Sequence, residues 1–118
     1  MLSSNAHASA MGPLLAALQR RKHTVIGPGY IAPLNQAAFA YDAVVALLQA
    51  DMKPCIWWTV GAAVAWSIPV VFFDDSYLDD FVLPLGGSVS LQHTVTGVCA
   101  MLEFFASQAW VATQLRQL

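Results

Sequence analysis

A run without charged side chains, from Phe81 to Leu102, is the feature that most constrains the fold of this chain. It contains 22 residues and no Asp, Glu, Lys or Arg. As a helix rising about 1.5 Å per residue, it is long enough to cross the roughly 30 Å hydrocarbon core of a bilayer. His93 lies near its middle. Because an unpaired histidine is costly at that depth, the pattern indicates a functional or hydrogen-bonded residue.

A second uncharged run extends from Pro54 to Phe73. Trp57 and Trp58 stand near its first end. Phe72 and Phe73 stand at its last end, and aromatic residues at both ends of an apolar run are typical of the two interfaces of a membrane. The two runs together predict a helical hairpin with transmembrane spans at about 54–73 and 83–107.

Composition favours lipid contact over a soluble domain. Apolar residues make up 58% of the 118-residue chain and charged residues 10%, where about 45–50% and about 25% are usual in soluble domains. A soluble all-α domain is the weaker alternative. A net charge of −2 with only five basic residues argues against nucleic acid as a partner. We therefore predict an all-α membrane protein, with the two-span hairpin in residues 54–118 preceded by one or two amphipathic or interfacial helices in residues 1–53.

The segment 1–53 contains two helix patterns. Residues 13–22 begin with a proline, end with basic residues and place Leu14, Leu15 and Leu18 on one side, which predicts a short amphipathic helix. Residues 34–51 predict a second helix that packs on a neighbour or lies at the interface. The Ser- and Ala-rich start of the chain resembles an organellar targeting segment.

The distribution of charge predicts an orientation for the hairpin. Basic residues precede the first span and follow the second, whereas residues 74–80 contain four acidic residues and no basic one. The positive-inside rule then places both termini on the matrix or cytoplasmic side and the acidic loop in the opposite compartment.

The residues around His93 indicate three possible roles for its imidazole. If the run is helical, Ser90, His93 and Gly97 share one face together with Gly86, at spacings of four, three and four. Small residues beside a histidine leave room for the edge of a haem that the imidazole ligates. They equally permit a close helix–helix contact in which the imidazole bonds to a backbone carbonyl. A quinone or proton-transfer role is the third alternative.

Glu103 is the other polar residue of interest in the second run. Ten residues beyond His93, it is expected near the inner interface of the membrane. It serves there either as an anchoring charge or as a polar group beside a quinone. The chain has no hydrolase, metalloprotease or phosphate-loop motif, so no catalytic residue is predicted.

Between Pro69 and Phe105 the chain resembles the small membrane-anchor subunit of succinate dehydrogenase, respiratory complex II. The elements that carry the resemblance are a proline near the end of one span, an Asp-aromatic pair in the outer loop, a histidine followed four residues later by glycine, and an acidic-aromatic run further on. In this sequence they are Pro69, Asp80-Phe81, His93, Gly97 and Glu103-Phe104-Phe105.

The resemblance implies a non-catalytic anchor subunit of an oxidoreductase complex. It implies that His93 is an axial ligand of a haem b iron, with Gly97 beside the cofactor. The helical spacing adds Ser90 to the same cofactor-binding face. It places Glu103, Phe104 and Phe105 in the vicinity of a ubiquinone site. The implied partners are lipid, a second membrane anchor and an iron–sulfur subunit, in the mitochondrial inner membrane or alternatively in a bacterial plasma membrane. The alternative function is a structural accessory subunit of a large respiratory or photosynthetic membrane complex, without a cofactor ligand.

Overall fold

The structure, a computed structural model, describes residues 11–21, 23, 41–48, 54–74 and 88–116. These residues form three helices and three strands. In chain order they are α1 (Met11–Arg20), β1 (Val44–Leu47), α2 (Pro54–Ala65), β2 (Val70–Phe73), β3 (Val89–Gln92) and α3 (Val95–Arg116).

The three strands form one parallel sheet in the order β1-β2-β3. Val70 of β2 is paired with Val44 on one side and with Val89 on the other. β2 is therefore the central strand, and its four residues are all buried. A parallel strand covered on both faces reads as a continuous apolar run, which is the pattern of the Val70–Phe73 segment, VVFF.

Helices cover both faces of the sheet. Alternate strand residues, including Val44, Val70 and Phe72, pack on one face against α2. The intervening residues, including Val71 and Phe73, pack on the other face against α1 and α3. The described chain is therefore a three-layer α/β/α arrangement, in which β1 and β2 contribute side chains to both apolar cores and β3 contributes Val89 to the core beside α2.

The predicted all-α membrane fold with a two-span hairpin is wrong. The described residues contain a three-stranded parallel sheet beside three helices. Among these helices, none combines the length and the hydropathy that a membrane crossing requires. Each predicted span is divided between a helix and a strand, and the sequence contains a local reason for each division.

The first predicted span, 54–73, divides after Ala65 because the chain forms a helix C-cap there. Ser67 has a positive φ of 58°, and its N–H donates to the carbonyl of Val64 at 3.1 Å. The N–H of Ile68 donates to the carbonyl of Ala63 at 2.9 Å. This pair of bonds is the Schellman motif that ends helices, here with serine where glycine is usual. Pro69 follows and directs the chain into β2, because the residue before a proline avoids helical geometry.

The second predicted span, 83–107, divides at His93 and Thr94, which separate β3 from α3. β3 has the sequence VSLQ, with apolar and polar residues in alternation. That alternation has the period of a strand rather than of a helix. The predicted helical face shared by Ser90, His93 and Gly97 is consequently not formed.

The predictions for residues 1–53 have a mixed outcome. The amphipathic helix predicted over 13–22 is confirmed as α1. Its Leu14 and Leu18 are buried in the core that α1 and α3 form with the sheet. The helix predicted over 34–51 is wrong at Val44–Leu47, which form β1. Residues 1–10 of the segment that resembles a targeting sequence and residues 75–80 of the acidic loop lie outside the described residues.

Candidate functional site at the carboxyl edge of the sheet

The carboxyl ends of the three strands lie at one edge of the sheet. The residues that follow β1, β2 and β3 are Leu48, Asp74 and His93. The N–H of Leu48 donates to the carbonyl of Phe73 at 2.8 Å, and the N–H of Asp74 donates to the carbonyl of Gln92 at 2.9 Å. The ladder thus continues one residue past β1 and one residue past β2, and it fixes Asp74 beside the end of β3.

The imidazole of His93 is hydrogen-bonded to the backbone of Asp74. The Nδ1 atom of His93 lies 2.8 Å from the backbone carbonyl oxygen of Asp74. Because a carbonyl oxygen only accepts hydrogen bonds, Nδ1 carries the proton, and in the neutral imidazole Nε2 is the basic nitrogen. Asp74 is buried, with 1% of its surface exposed, whereas His93 is half-buried. His93 is therefore the accessible member of this pair.

The residue after His93 caps a long helix. The N–H of Gly97 donates to Oγ1 of Thr94 at 3.0 Å, and the N–H of Val98 donates to the carbonyl of Thr94 at 3.0 Å. Thr94 is thus the N-cap of α3. The N–H groups of Val95 and Thr96 have no acceptor within the helix, because the first turn of any α-helix lacks one.

Gly97 allows α3 to approach β3 closely. A Cβ atom at this position would lie 2.6 Å from Oε1 of Gln92 and 3.1 Å from Oγ1 of Thr94. Real side chains do not tolerate the first of these distances, so the amide of Gln92 occupies the space that a larger residue would need. The first turn of α3 therefore lies close to the end of β3.

Two of the connections that leave the sheet at this edge lead to opposite faces, and the connection that leaves β2 lies outside the described residues after Asp74. α2, which follows β1, packs on one face, and α3, which follows β3, packs on the other. In open parallel α/β sheets, a crevice forms outside the carboxyl ends of the strands where the chain changes from one face to the other, and ligands bind there. Asp74, His93 and Thr94 lie at this edge.

The residues predicted to hold haem do not form the predicted site. Ser90 lies in β3, His93 lies in the connection and Gly97 lies in α3. The Oγ atom of Ser90 is inaccessible to solvent and has no hydrogen-bond partner among the described residues. The space beside Gly97 is filled by Gln92 rather than open to a porphyrin. This arrangement does not fit a haem lying against a face of small residues.

The residues predicted to lie near ubiquinone are on α3. Glu103 is exposed and pairs with Arg21, the residue after α1. The hydrogen bond to Glu103, with its negative charge, raises the pKa of the Arg21 guanidinium above its ordinary value, and the nearby Cys99 adds to the rise. Phe105 is buried in the core, whereas Phe104 is 52% exposed. Glu103 is eight residues, about 12 Å, beyond the start of α3, so it does not belong to the cluster around His93.

Two participants in the site were not singled out from the sequence. Asp74 was assigned to a solvated acidic loop, although it directly follows the uncharged run VVFF. Thr94 lies three residues before Gly97, at the start of an apolar helical run, which is where an N-cap is expected. The interpretation of 54–73 as a membrane span concealed the first signal, and the interpretation of 83–107 as one continuous helix concealed the second.

The described residues contain no group of three or more His, Cys, Asp or Glu side chains that could hold a metal ion. The fold and the site define the class of this chain as a small three-layer α/β domain with a polar carboxyl edge. No protein-family model matches the sequence. Comparisons with curated proteins and with solved structures find no significant match either.

Proposed function

We propose that this chain is a ligand-binding α/β domain that holds an anionic group of a small molecule, a phosphate or a carboxylate, at the junction of β3 and α3. The observation that carries the proposal is the contact between His93 and Asp74. It orients the half-buried imidazole immediately before the capped N-terminus of a helix of 22 residues. The binding residues are His93, Thr94, Val95 and Thr96.

The first turn of α3 supplies donors and positive potential. The N–H groups of Val95 and Thr96 point out of the helix end, and aligned peptide dipoles give this end a partial charge of about +0.5. Phosphate and carboxylate groups bind at such ends because both effects favour an anion. The hydroxyl groups of Thr94 and Thr96 belong to exposed residues at the same place.

His93 adds orientation to this anion site. The carbonyl of Asp74 fixes the proton on Nδ1, so the ring is held in one tautomer and one plane. When protonated, the imidazole forms a charge-assisted hydrogen bond to an anionic oxygen. Asp74 is too buried to contact a ligand from solvent and acts through its backbone carbonyl. The arrangement supports binding rather than turnover.

The proposal is tested with inorganic phosphate in an NMR titration of the full chain, with chloride at matched ionic strength as the reference. Saturable shifts in the amide signals of Val95 and Thr96 and in the imidazole signals of His93 are expected with phosphate. Shifts that are equal in chloride, or that are spread evenly over the chain, contradict the proposal.

Two variants separate binding from folding. Asp is as good an N-cap as Thr, so Thr94→Asp keeps α3 capped while placing a negative charge at the site. We expect it to retain the fold and lose the phosphate response. Ser107→Ala, at an exposed position further along α3, is the matched control and should respond as the parent chain does. A full phosphate response in Thr94→Asp would exclude this site.

The two functions predicted from the sequence, one of them through the resemblance, remain predictions. They are the membrane anchor of a succinate dehydrogenase-like complex with haem b and ubiquinone, and the structural accessory subunit of a respiratory or photosynthetic complex. The helical hairpin that both presuppose is not the fold of the described residues. Two further expectations also remain predictions. One is the location, in the mitochondrial inner membrane or a bacterial plasma membrane, and the other is the pair of partners, an iron–sulfur subunit and a second membrane anchor. The carboxyl-edge site has the more direct support, because it rests on contacts between residues of this chain.

A further inference from the structure

The first helix, α1, packs on the rest of the fold through one apolar side. Leu14, Ala17 and Leu18 are buried in the core that α1 and α3 form with the sheet. The other residues of α1 whose exposure the structure describes are half-buried or exposed. A helix of fewer than about 12 residues is marginal in water by itself, and α1 has 10. Its helical state therefore depends on this one apolar side.

Among the three helices of the described chain, α1 is the least directly connected to the sheet. Short connections join α2 to β2 and β3 to α3, whereas residues 21–43 separate α1 from β1. Parts of a protein with few buried contacts open locally at a lower free energy than the whole fold. The position of α1 in the chain therefore allows it to separate without displacing a strand.

The side of α3 that faces α1 contains a buried thiol beneath an exposed ion pair. Arg21, the residue after α1, pairs with Glu103 of α3, and both side chains are exposed. Cys99 lies one helical turn before Glu103 and therefore on the same side of α3. It is 1% exposed and belongs to the same core as Leu14 and Leu18. Cys99 is thus covered when α1 is in place.

We infer that α1 is a latch, a helix that opens as a unit over an intact sheet and uncovers the side of α3 that contains Cys99. The apolar side of α1 and the Arg21–Glu103 pair hold the latch closed. An exposed ion pair is weak and is screened by salt, so salt shifts the latch towards the open state. The fold therefore has a second state, whose population depends on ionic strength.

The alkylation rate of Cys99 by iodoacetamide, an uncharged reagent, measures the opening of α1, because a thiol reacts only when the reagent can reach it. The full chain with Cys55→Ala retains Cys99 as its single cysteine. At low urea the rate should rise less steeply than the equilibrium constant of global unfolding, because a latch exposes less surface than the whole chain. A rate that follows global unfolding at every urea concentration overturns the inference.

Two truncations of buried side chains distinguish the latch from general destabilisation. Leu18→Ala removes part of the apolar side of α1 and should raise the alkylation rate without urea at least about tenfold. Val60→Ala is the matched control, because Val60 is equally buried but lies on α2, in the other core. It should lower the stability of the fold while leaving this rate within about twofold of the parent rate. Equal acceleration by the two variants overturns the latch.

Two surface substitutions test the ion pair and leave both cores intact. Arg21→Gln should raise the alkylation rate about two- to fivefold at low salt and remove most of the salt dependence of the parent chain. Arg20→Gln removes the same charge from the exposed neighbouring residue and is the matched control. It should retain the parent rate and the parent salt dependence. Equal responses of the two variants overturn the role of the Arg21–Glu103 pair in holding α1 closed.

Discussion

The N–H of Ile68 donates a hydrogen bond to the carbonyl oxygen of Ala63 at 2.9 Å. This bond, with the left-handed conformation of Ser67 between the two residues, ends α2 at Ala65. The uncharged run from Pro54 to Phe73 therefore becomes a helix of 12 residues followed by a strand of four. This cap divides the run into a helix and a strand, and the run therefore does not form one helix of membrane-spanning length.

Replacing Ser67 with glycine should stabilise the fold. A left-handed conformation costs a residue with a Cβ atom about 1–2 kcal/mol, and glycine avoids most of this cost while losing more entropy on folding. We expect Ser67→Gly to raise the free energy of unfolding by about 0.5–1 kcal/mol in urea denaturation. Ser107→Gly, in the exposed interior of α3, should lower the free energy of unfolding by about 0.5 kcal/mol. If the two substitutions change the free energy of unfolding in the same direction, the helix C-cap is not formed at Ser67.

Phe72 and Phe104 should differ sharply in their contributions to stability. Phe72 is fully buried in β2, with its ring 6.4 Å from that of Trp57, whereas Phe104 is 52% exposed. Phe72→Ala is expected to reduce the free energy of unfolding by about 3–5 kcal/mol. Phe104→Ala should change the free energy of unfolding by less than about 1 kcal/mol, because half of its side chain is already exposed. Similar losses at the two positions would contradict the three-layer arrangement.

The contact between Gly97 and Gln92 predicts a non-additive pair of substitutions. Gly→Ala in a helix normally gains about 1 kcal/mol, but at position 97 the added methyl group displaces the Gln92 amide. We expect Gly97→Ala to stabilise the Gln92→Ala background by about 1 kcal/mol and to stabilise the parent chain by less. Equal effects in the two backgrounds, measured by chemical denaturation, would show that α3 does not approach β3 at this residue.

His93 is expected to be the Nδ1–H tautomer when it is neutral. The Asp74 carbonyl lies 2.8 Å from Nδ1 and can only accept a hydrogen bond. Long-range ¹H–¹⁵N correlation spectra distinguish the two ring nitrogens, so the tautomer can be observed directly. His23, which follows α1 rather than β3, serves as the comparison within the same spectrum. A neutral His93 protonated on Nε2 would remove the basis for an oriented imidazole at this edge.

Part of this architecture is readable from the sequence. The helix pattern around Leu14 and Leu18 and the start of a helix at Pro54 are both observed. The strands were missed because an uncharged run cannot by itself distinguish a buried parallel strand from a buried helix segment. At Val70–Phe73 the distinguishing information lies just before the strand, in the cap at Ser67 and in Pro69.

The candidate site was harder to predict than the helices. His93 stands out as the one histidine of a long uncharged run, but its partner cannot be found from spacing. Asp74 is 19 residues away and meets His93 only because β2 and β3 are neighbouring parallel strands. A contact of this kind follows from the order of strands in a sheet, which local periodicity does not contain.

The most direct test of the fold and of its site is the hydrogen bond of the Asp74 amide. In the sheet, this N–H donates to the carbonyl of Gln92 at 2.9 Å and fixes Asp74 beside His93. A long-range HNCO experiment, which detects coupling across hydrogen bonds, should connect the ¹⁵N of Asp74 to the carbonyl ¹³C of Gln92. A coupling to the carbonyl of Val70, four residues earlier, would instead show the continuous helix of a hairpin and would contradict both the parallel sheet and the site at its edge.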